Sequence, residues 1–211
     1  MDLDHPLGRV LDDAANGIFP PADGSVRVVP PGGPGDMEAI VELTGTAWVA
    51  TALPEEEVLG PEVDGFGGVV HPDVQRRLAG PNGWIGAHDM TLVRRGTGDA
   101  TLPARPDLAD HPRIVFGGHH RRVDLVHGDE RGVVGVGRGL CDRWEVGLEL
   151  AEGTAGGRGH GRELVRQAVG LVPEGEWIFA EIAPGNAASV RAFLAVGFVP
   201  IGAQIRYRPG R

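Results

Sequence analysis

Apolar side chains recur with two different periods in the second half of the chain, and this separates predicted strands from predicted helices. Residues 121–126, 132–140 and 144–150 are short apolar or alternating runs, and each run predicts a β-strand. Residues 161–172 repeat apolar positions at intervals of about 3.6, so we expect a helix with one buried face. Residues 177–182 form an apolar run that is typical of a strand buried on both sides.

A second helix is predicted close to the end of the chain. Asn186 suits its N-cap, because the asparagine side chain can accept a hydrogen bond from a free backbone N–H. Gly197 stands where a positive φ is wanted at the end of the helix, and Phe198 can pack back against it. Residues 201–208 are predicted as the closing strand. The expected fold is therefore α/β (α+β), with a mixed, largely antiparallel central sheet flanked by helices.

The first half of the chain has a weaker pattern. Residues 1–36 contain two Pro/Gly clusters, which interrupt helices and central strands, and we expect an arm there. Residues 37–51 and 88–95 are rich in β-prone side chains and predict strands. Helical segments are expected at 54–60 and 72–79.

A loop rich in charges and turn-forming residues, at 96–112, sets the predicted domain boundary. It divides the chain into an N-terminal region, 1–110, and a core, 111–211. The total of 211 residues suits one large domain or two small ones. We expect the N-terminal region to consist of an arm and a small α/β part that shapes a substrate site.

Composition argues against several classes of function. The net charge of −9 is unsuited to general nucleic-acid binding, which needs clustered cations. All twenty basic side chains are arginines, so no side-chain amine of this chain could itself accept an acyl group. Cys141 is the single cysteine, which excludes an intramolecular disulfide and fits a cytoplasmic location. The N-terminus lacks the apolar run of a signal peptide, and no stretch approaches the roughly 18 apolar residues of a membrane span.

The candidate chemistry begins with a glycine-rich segment, GGRGHG at 156–161, between a predicted strand and a predicted helix. Glycines let backbone N–H groups approach an anion without a clash from Cβ atoms. The start of the helix adds free N–H donors and the positive end of a dipole. Arg158 and Arg162 could add charged contacts. The segment therefore predicts a phosphate site, although a flexible turn is the other interpretation.

Two familiar nucleotide sites do not fit this segment. A Walker loop requires a lysine after its last glycine, and this chain has none. A dinucleotide-binding fold requires its glycine turn after the first strand of a βαβ unit. Here the segment follows an antiparallel hairpin, so both interpretations are set aside.

A later segment, PGNAASVRAFLAVGF at 184–198, forms a pair with the glycine loop. Together they resemble the GCN5-related N-acetyltransferase family over roughly residues 111–209. Residues 1–110 resemble the N-terminal extensions of some actinobacterial members, which implies either a region that shapes the acceptor site or a degenerate copy of the same fold. The resemblance implies an acyl-CoA N-acyltransferase fold, acetyl-CoA as co-substrate and no metal. It also implies direct attack by an amine of a small-molecule or peptide acceptor, with neither nucleic acid nor membrane as partner. A homodimer is compatible with it.

The resemblance also implies a set of coenzyme contacts. The glycine loop would surround the pyrophosphate, the end of the strand before it would hydrogen-bond the pantetheine and polarise the thioester, and the later helix would lie beside the pantetheine. The implied contact residues are Leu150, Ala151, Gly156, Gly157, Arg158, Gly159, His160, Gly161, Arg162, Asn186, Ser189 and Phe193.

Candidate catalytic residues are less well marked. Glu145 and Glu149 are four residues apart on one predicted strand and share a face, so one of them could be the general base; a solvent-exposed strand face is the other interpretation. Many family members carry a tyrosine on the later helix that protonates the leaving thiolate, and Phe193 stands in its place here. Ser189 and Tyr207 are the candidate substitutes.

The missing tyrosine leaves two functions open. The first is an active N-acetyltransferase, and the second is a catalytically silent acyl-CoA-binding or regulatory module. A structural protein with an unused groove is a third. His119 and His120 add a further open point, because they suit either an ordinary surface or an acceptor site.

Overall fold

The computed structural model describes residues 1–154 and 159–211, which form one open nine-stranded sheet with six α-helices. The helices are α1 (Pro6–Ala15), α2 (Glu55–Val58), α3 (Pro72–Ala79), α4 (Pro112–Gly118), α5 (His160–Gly170) and α6 (Ala187–Ala195). The strands are β1 (Val26–Val29), β2 (Glu38–Leu43), β3 (Thr46–Ala50), β4 (Trp84–Arg95), β5 (Arg122–Asp129), β6 (Gly132–Arg138), β7 (Trp144–Leu150), β8 (Trp177–Ile182) and β9 (Val199–Arg208). Short 3-10 turns lie at Gly68–Val70, Pro106–Leu108 and Leu140–Asp142.

The strands are arranged in the order β1-β3-β2-β9-β4-β8-β7-β6-β5. Most neighbours are antiparallel, and the parallel pairs are β1 with β3 and β7 with β8. The mixed, largely antiparallel sheet expected from the sequence is therefore confirmed. No helix among the described residues combines the length and the apolar character needed to cross a bilayer.

The two predicted halves of the chain contribute strands to the same sheet. Strand β4 comes from the first half but lies between β8 and β9 and pairs with both. Strand β9 pairs on its other side with β2. The loop at 96–112 is thus a surface connection, and residue 110 does not separate two sheets.

The expected arm at residues 1–36 is wrong in part, because it contains a docked helix. The N-cap of α1 is His5, whose ring nitrogen accepts from the Leu7 N–H, and Pro6 is its first residue. Leu7 and Leu11 are fully buried on the sheet. Both Pro/Gly clusters follow α1 in the chain and lie on either side of β1.

Two further differences from the sequence predictions are a hairpin and a short helix. The run 37–51 is a β2–β3 hairpin, and its two-residue turn has positive φ at both Thr44 and Gly45, at 50° and 77°. Helix α4 was not predicted; Pro112 begins it, and the ring of His111 caps it by accepting from the Arg113 N–H.

The helices lie on opposite faces of the sheet. Val134 and Val136 of β6 pack in the cluster that contains α5 and α6. Gly135 between them faces the other way, and a Cβ there would lie 2.8 Å from Ile114 Cδ1 of α4. Helices α5 and α6 therefore cover one face, and α4 covers the other.

Candidate functional site

The sheet opens between its two central parallel strands. Strands β7 and β8 pair over three residues, from Trp144 to Val146, and no pairing between them follows in the part of the chain that the structure describes. Beyond Val146, β7 stays paired with β6 as far as Leu150, while β8 stays paired with β4 as far as Ile182. We call the opening between the two strands the splay.

The splay leaves backbone groups of β7 without a strand partner. The Ala151 N–H donates to the Arg131 carbonyl over 2.9 Å, so this residue points to the β6 side. Because the backbone groups of successive residues point to alternate sides, those of Leu148 and Leu150 face the splay. The predicted contact through Ala151 is therefore wrong: its carbonyl also accepts from the N–H and the hydroxyl of Thr154. Leu148 is the residue before Leu150 whose backbone faces the splay.

A cleft of about 450 Å³ passes through the splay from one face of the sheet to the other. On the α6 side it is lined by Asn186, Ser189 and Phe193. On the α4 side it is lined by Arg113 and Phe116, among others. The cleft therefore connects the helix pair α5/α6 with the surface under α4.

Glu145 lies at the centre of a buried ion cluster below this cleft. Its side chain is 1% exposed, and its Oε1 accepts from Arg206 Nη2 at 2.5 Å and from Arg143 Nε at 2.8 Å. Burial alone would raise the pKa of this carboxyl, but Arg206, Arg143 and Arg121 outweigh burial and lower the pKa to about 2. Such a weak base cannot take a proton from an amine near neutral pH, so the predicted base role of Glu145 is wrong.

A different carboxylate, Glu181 of β8, lines the cleft. It accepts from Arg143 Nη2 at 2.6 Å and from the Thr91 hydroxyl at 2.9 Å, and 11% of its side chain is exposed. Burial raises its pKa to about 7, against the opposing effect of Arg143 and Arg206. Sequence analysis missed it, although it is the one charged residue in the apolar run 177–182.

An aromatic wall closes the α4 side of the cleft. The His120 ring lies 5.3 Å from the Trp84 ring and 4.9 Å from the Phe116 ring, measured between centroids. Burial, followed by Arg206 and Arg121, lowers the pKa of His120 to about 4, so it is neutral at pH 7. His120 lines the cleft, and its role at an acceptor site stays a prediction.

Several other predicted residues lie where the sequence suggested. Glu149 is exposed on β7 and lines the cleft. Asn186 caps α6 as predicted, since its Oδ1 accepts from the Ser189 N–H at 3.2 Å. Phe193 is 5% exposed and packs edge-on against Phe198 at 4.9 Å, so it is a core residue that also forms part of the cleft wall.

Tyr207 lies away from the cleft, and its predicted role as an acid is wrong. Its side chain is 1% exposed and packs against Ile40, Val49 and Leu78 beneath α3. Because side chains alternate along β9, Arg206 lies on the α4 face of the sheet, where it lines the cleft, and Tyr207 lies on the other face, beneath α3. Burial also raises the pKa of Tyr207 above its ordinary value of 10.

The glycine loop is described only at its end. Gly156, Gly157 and Arg158 lie outside the described residues. Gly159 precedes α5 with a φ of 81°, which favours glycine, and Arg162 is exposed. A Cβ at Gly161 would lie 3.9 Å from Leu150 Cδ1, so the first turn of α5, beginning at His160, stands beside the end of β7.

Comparison with known proteins adds no relative. No protein-family model matches the chain, and no curated protein matches it significantly. The grounds for a function are therefore the splay, the cleft and the charges around them.

Proposed function

We propose that the chain is an N-acetyltransferase of the GCN5-related type, which transfers the acetyl group of acetyl-CoA directly to an amine. The observation that carries the proposal is the splay. It turns backbone N–H and carbonyl groups of Leu148 and Leu150 toward an open cleft, beside the N-termini of two helices. An extended amide-containing arm such as pantetheine can add to a free strand edge of this kind by main-chain hydrogen bonds.

The coenzyme would occupy the α5/α6 side of the sheet. The N-terminus of the eleven-residue helix α5 offers free N–H donors and a positive dipole to the diphosphate. The pantetheine would follow the edge of β7 past Leu150 and Leu148, with Asn186 and Ser189 of α6 on its other side. This path leads the thioester into the splay.

The acceptor would reach the thioester from the α4 side of the sheet. An amine with a pKa of about 10.4 is almost entirely protonated at pH 7, so it needs a base before it can attack. Glu181 has a pKa of about 7 and lines the cleft, and we assign this role to it. The amine proton passes to the Glu181 carboxylate as the new C–N bond forms.

The carbonyl oxygen becomes an oxyanion when the amine adds. The backbone N–H of Leu148 is the donor that the splay leaves free to stabilise this charge. The C–S bond then breaks and coenzyme A leaves as a thiolate, which is a tolerable leaving group because the thiol pKa is only about 8.5. Solvent then supplies the proton of the free thiol. The transfer therefore proceeds without a protein acid at the place that Phe193 occupies.

The second candidate is a module that binds acyl-CoA without chemistry, and it is favoured by Phe193 in the place of an acid. The experiment that separates the two is release of free thiol from acetyl-CoA with a panel of amines. We expect release above the amine-free rate for at least one class of acceptor. Saturable acetyl-CoA binding without thiol release across the panel would favour the silent module.

A further inference from the structure

Two guanidinium groups converge on one point of the acceptor side of the cleft. A Cβ atom at Gly147 of β7 would lie 2.9 Å from Arg121 Nη1 and 3.2 Å from Arg113 Nη2. The absence of a side chain at Gly147 thus makes room for both arginines over the same stretch of strand. Gly147 itself lines the cleft, next to Leu148 at the splay.

Each of the two guanidiniums has an unused hydrogen-bond donor among the described residues. The Nε atoms of Arg113 and Arg121 are both buried, and neither has a hydrogen-bond partner in residues 1–154 and 159–211. Arg121 is 9% exposed, and its nearest carboxylate is Glu145 at 3.7 Å, whose Oε1 already accepts from Arg143 and Arg206. A buried donor without an acceptor carries a desolvation cost that a bound acceptor would remove.

Arginines and carboxylates form a cluster around this point. Arg121, Arg143 and Arg206 converge on the carboxylate of Glu145, and Arg143 also pairs with Glu181. Asp89 and Glu149 also line the cleft, yet among the described residues no carboxylate oxygen lies within 4.0 Å of the Arg113 guanidinium. Burial lowers the pKa of Arg121 to about 10, so this side chain remains charged at pH 7.

We propose that the acceptor amine carries an oxyanion, a carboxylate or a phosphate, which Arg113 and Arg121 bind together over Gly147. Guanidinium groups match both anions with paired N–H donors. The amine of the same molecule then lies farther along the cleft, toward Glu181 and the splay. The proposal rests on the N-acetyltransferase function and names its substrate class as amino acids or amino phosphates.

The acceptors for the test are matched pairs with and without the anion, and their rates are compared per neutral amine because a neighbouring anion raises the amine pKa. We expect thiol release with an α-amino acid to exceed that with its carboxamide, or release with phosphoethanolamine to exceed that with ethanolamine. The favoured pair identifies the anion as carboxylate or phosphate. Equal rates within both pairs, with clear thiol release, would overturn the proposal and leave the N-acetyltransferase function standing.

The matched variants are Arg113→Gln and Arg122→Gln. Arg113→Gln removes a charged hydrogen-bonding partner, so it should raise KM for the anionic acceptor by roughly 10- to 100-fold. KM for the neutral counterpart and the affinity for acetyl-CoA should not change. Arg122 is 70% exposed on β5 and pairs with Asp124, so its replacement should leave KM unchanged. An unchanged KM in Arg113→Gln would also overturn the proposal.

A second variant and a binding measurement keep the site testable apart from catalysis. Gly147→Ala places a methyl group where the two guanidiniums meet, and it should weaken the anionic acceptor without removing either charge. The anionic acceptor, without acetyl-CoA, should stabilise the wild-type protein against heat. This stabilisation should be lost in Arg113→Gln and in Gly147→Ala. This result would support the anion site even if thiol release failed, and no stabilisation of the wild-type protein would count against it.

Discussion

Replacing Glu145 with glutamine should lower the free energy of unfolding by about 3–5 kcal/mol, because it removes one partner from a buried ion cluster. Glu145 is 1% exposed and is the carboxylate shared by Arg143, Arg206 and Arg121. Without its charge, three guanidiniums remain in the interior with Glu181 as the nearest compensating group. The measurement is urea denaturation of the two proteins at pH 7.

The loss should follow a defined pH profile. The pKa of Glu145 falls from an ordinary 4.5 to about 2 on folding. A depressed carboxyl pKa stabilises the folded state above the unfolded pKa, and the stabilisation is lost as the pH falls through the folded pKa. A depression of this size corresponds to about 3 kcal/mol. The difference in unfolding free energy between wild type and Glu145→Gln should therefore be full above pH 4.5 and shrink toward pH 2.

The control for this prediction is Glu149→Gln, the same substitution on the same face of the same strand. Glu149 is exposed, so its replacement should change the unfolding free energy by less than about 0.5 kcal/mol. Equal stability of Glu145→Gln and wild type at pH 7 would show that the cluster is not organised around Glu145.

Replacing Glu181 with glutamine should lower kcat/KM for thiol release at pH 7 by roughly 100- to 10,000-fold, the usual contribution of a general base. Glutamine keeps one carbonyl oxygen that can accept from Arg143 Nη2, and its amide nitrogen can donate to the Thr91 hydroxyl, but it cannot take a proton. In the wild-type protein, kcat/KM should rise with pH through about 7, where the carboxylate form appears. An acceptor amine whose own pKa lies outside the scanned range keeps its titration out of this profile.

Two readouts distinguish loss of a base from loss of structure. Acetyl-CoA affinity of Glu181→Gln should match that of the wild-type protein, while the inflection near pH 7 disappears. Glu174→Gln, in the exposed turn before β8, is the matched control and should leave the rate unchanged. A pH profile that keeps its inflection in Glu181→Gln would remove this residue from the mechanism.

Local periodicity predicted the framework of the site well. Strands β7 and β8, helix α3 and the Asn186 cap were found at the residues expected, because each is specified by neighbours in sequence. The same reasoning missed α1, a short amphipathic helix, because the Pro/Gly clusters that follow it dominate the pattern of residues 1–36. It also missed α4, which has only seven residues.

The charged part of the site could not be read from the sequence. Arg121, Arg143, Glu181 and Arg206 come from separate segments and meet only when the sheet forms. Glu145 and Glu149 look alike in sequence, yet one is buried among arginines and the other is exposed. What decides between a structural ion and a base is burial and tertiary neighbours, which no local spacing encodes.

The central claim, that the cleft at the splay binds acetyl-CoA, is tested most directly by calorimetry on the wild-type protein and two tryptophan variants of α6. Ser189→Trp fills the cleft, while Arg191→Trp places the same ring on an exposed position of the same helix. The account predicts saturable one-site binding to the wild-type protein and to Arg191→Trp, and none to Ser189→Trp. Absence of saturable heat with the wild-type protein, or undiminished binding by Ser189→Trp, would contradict it.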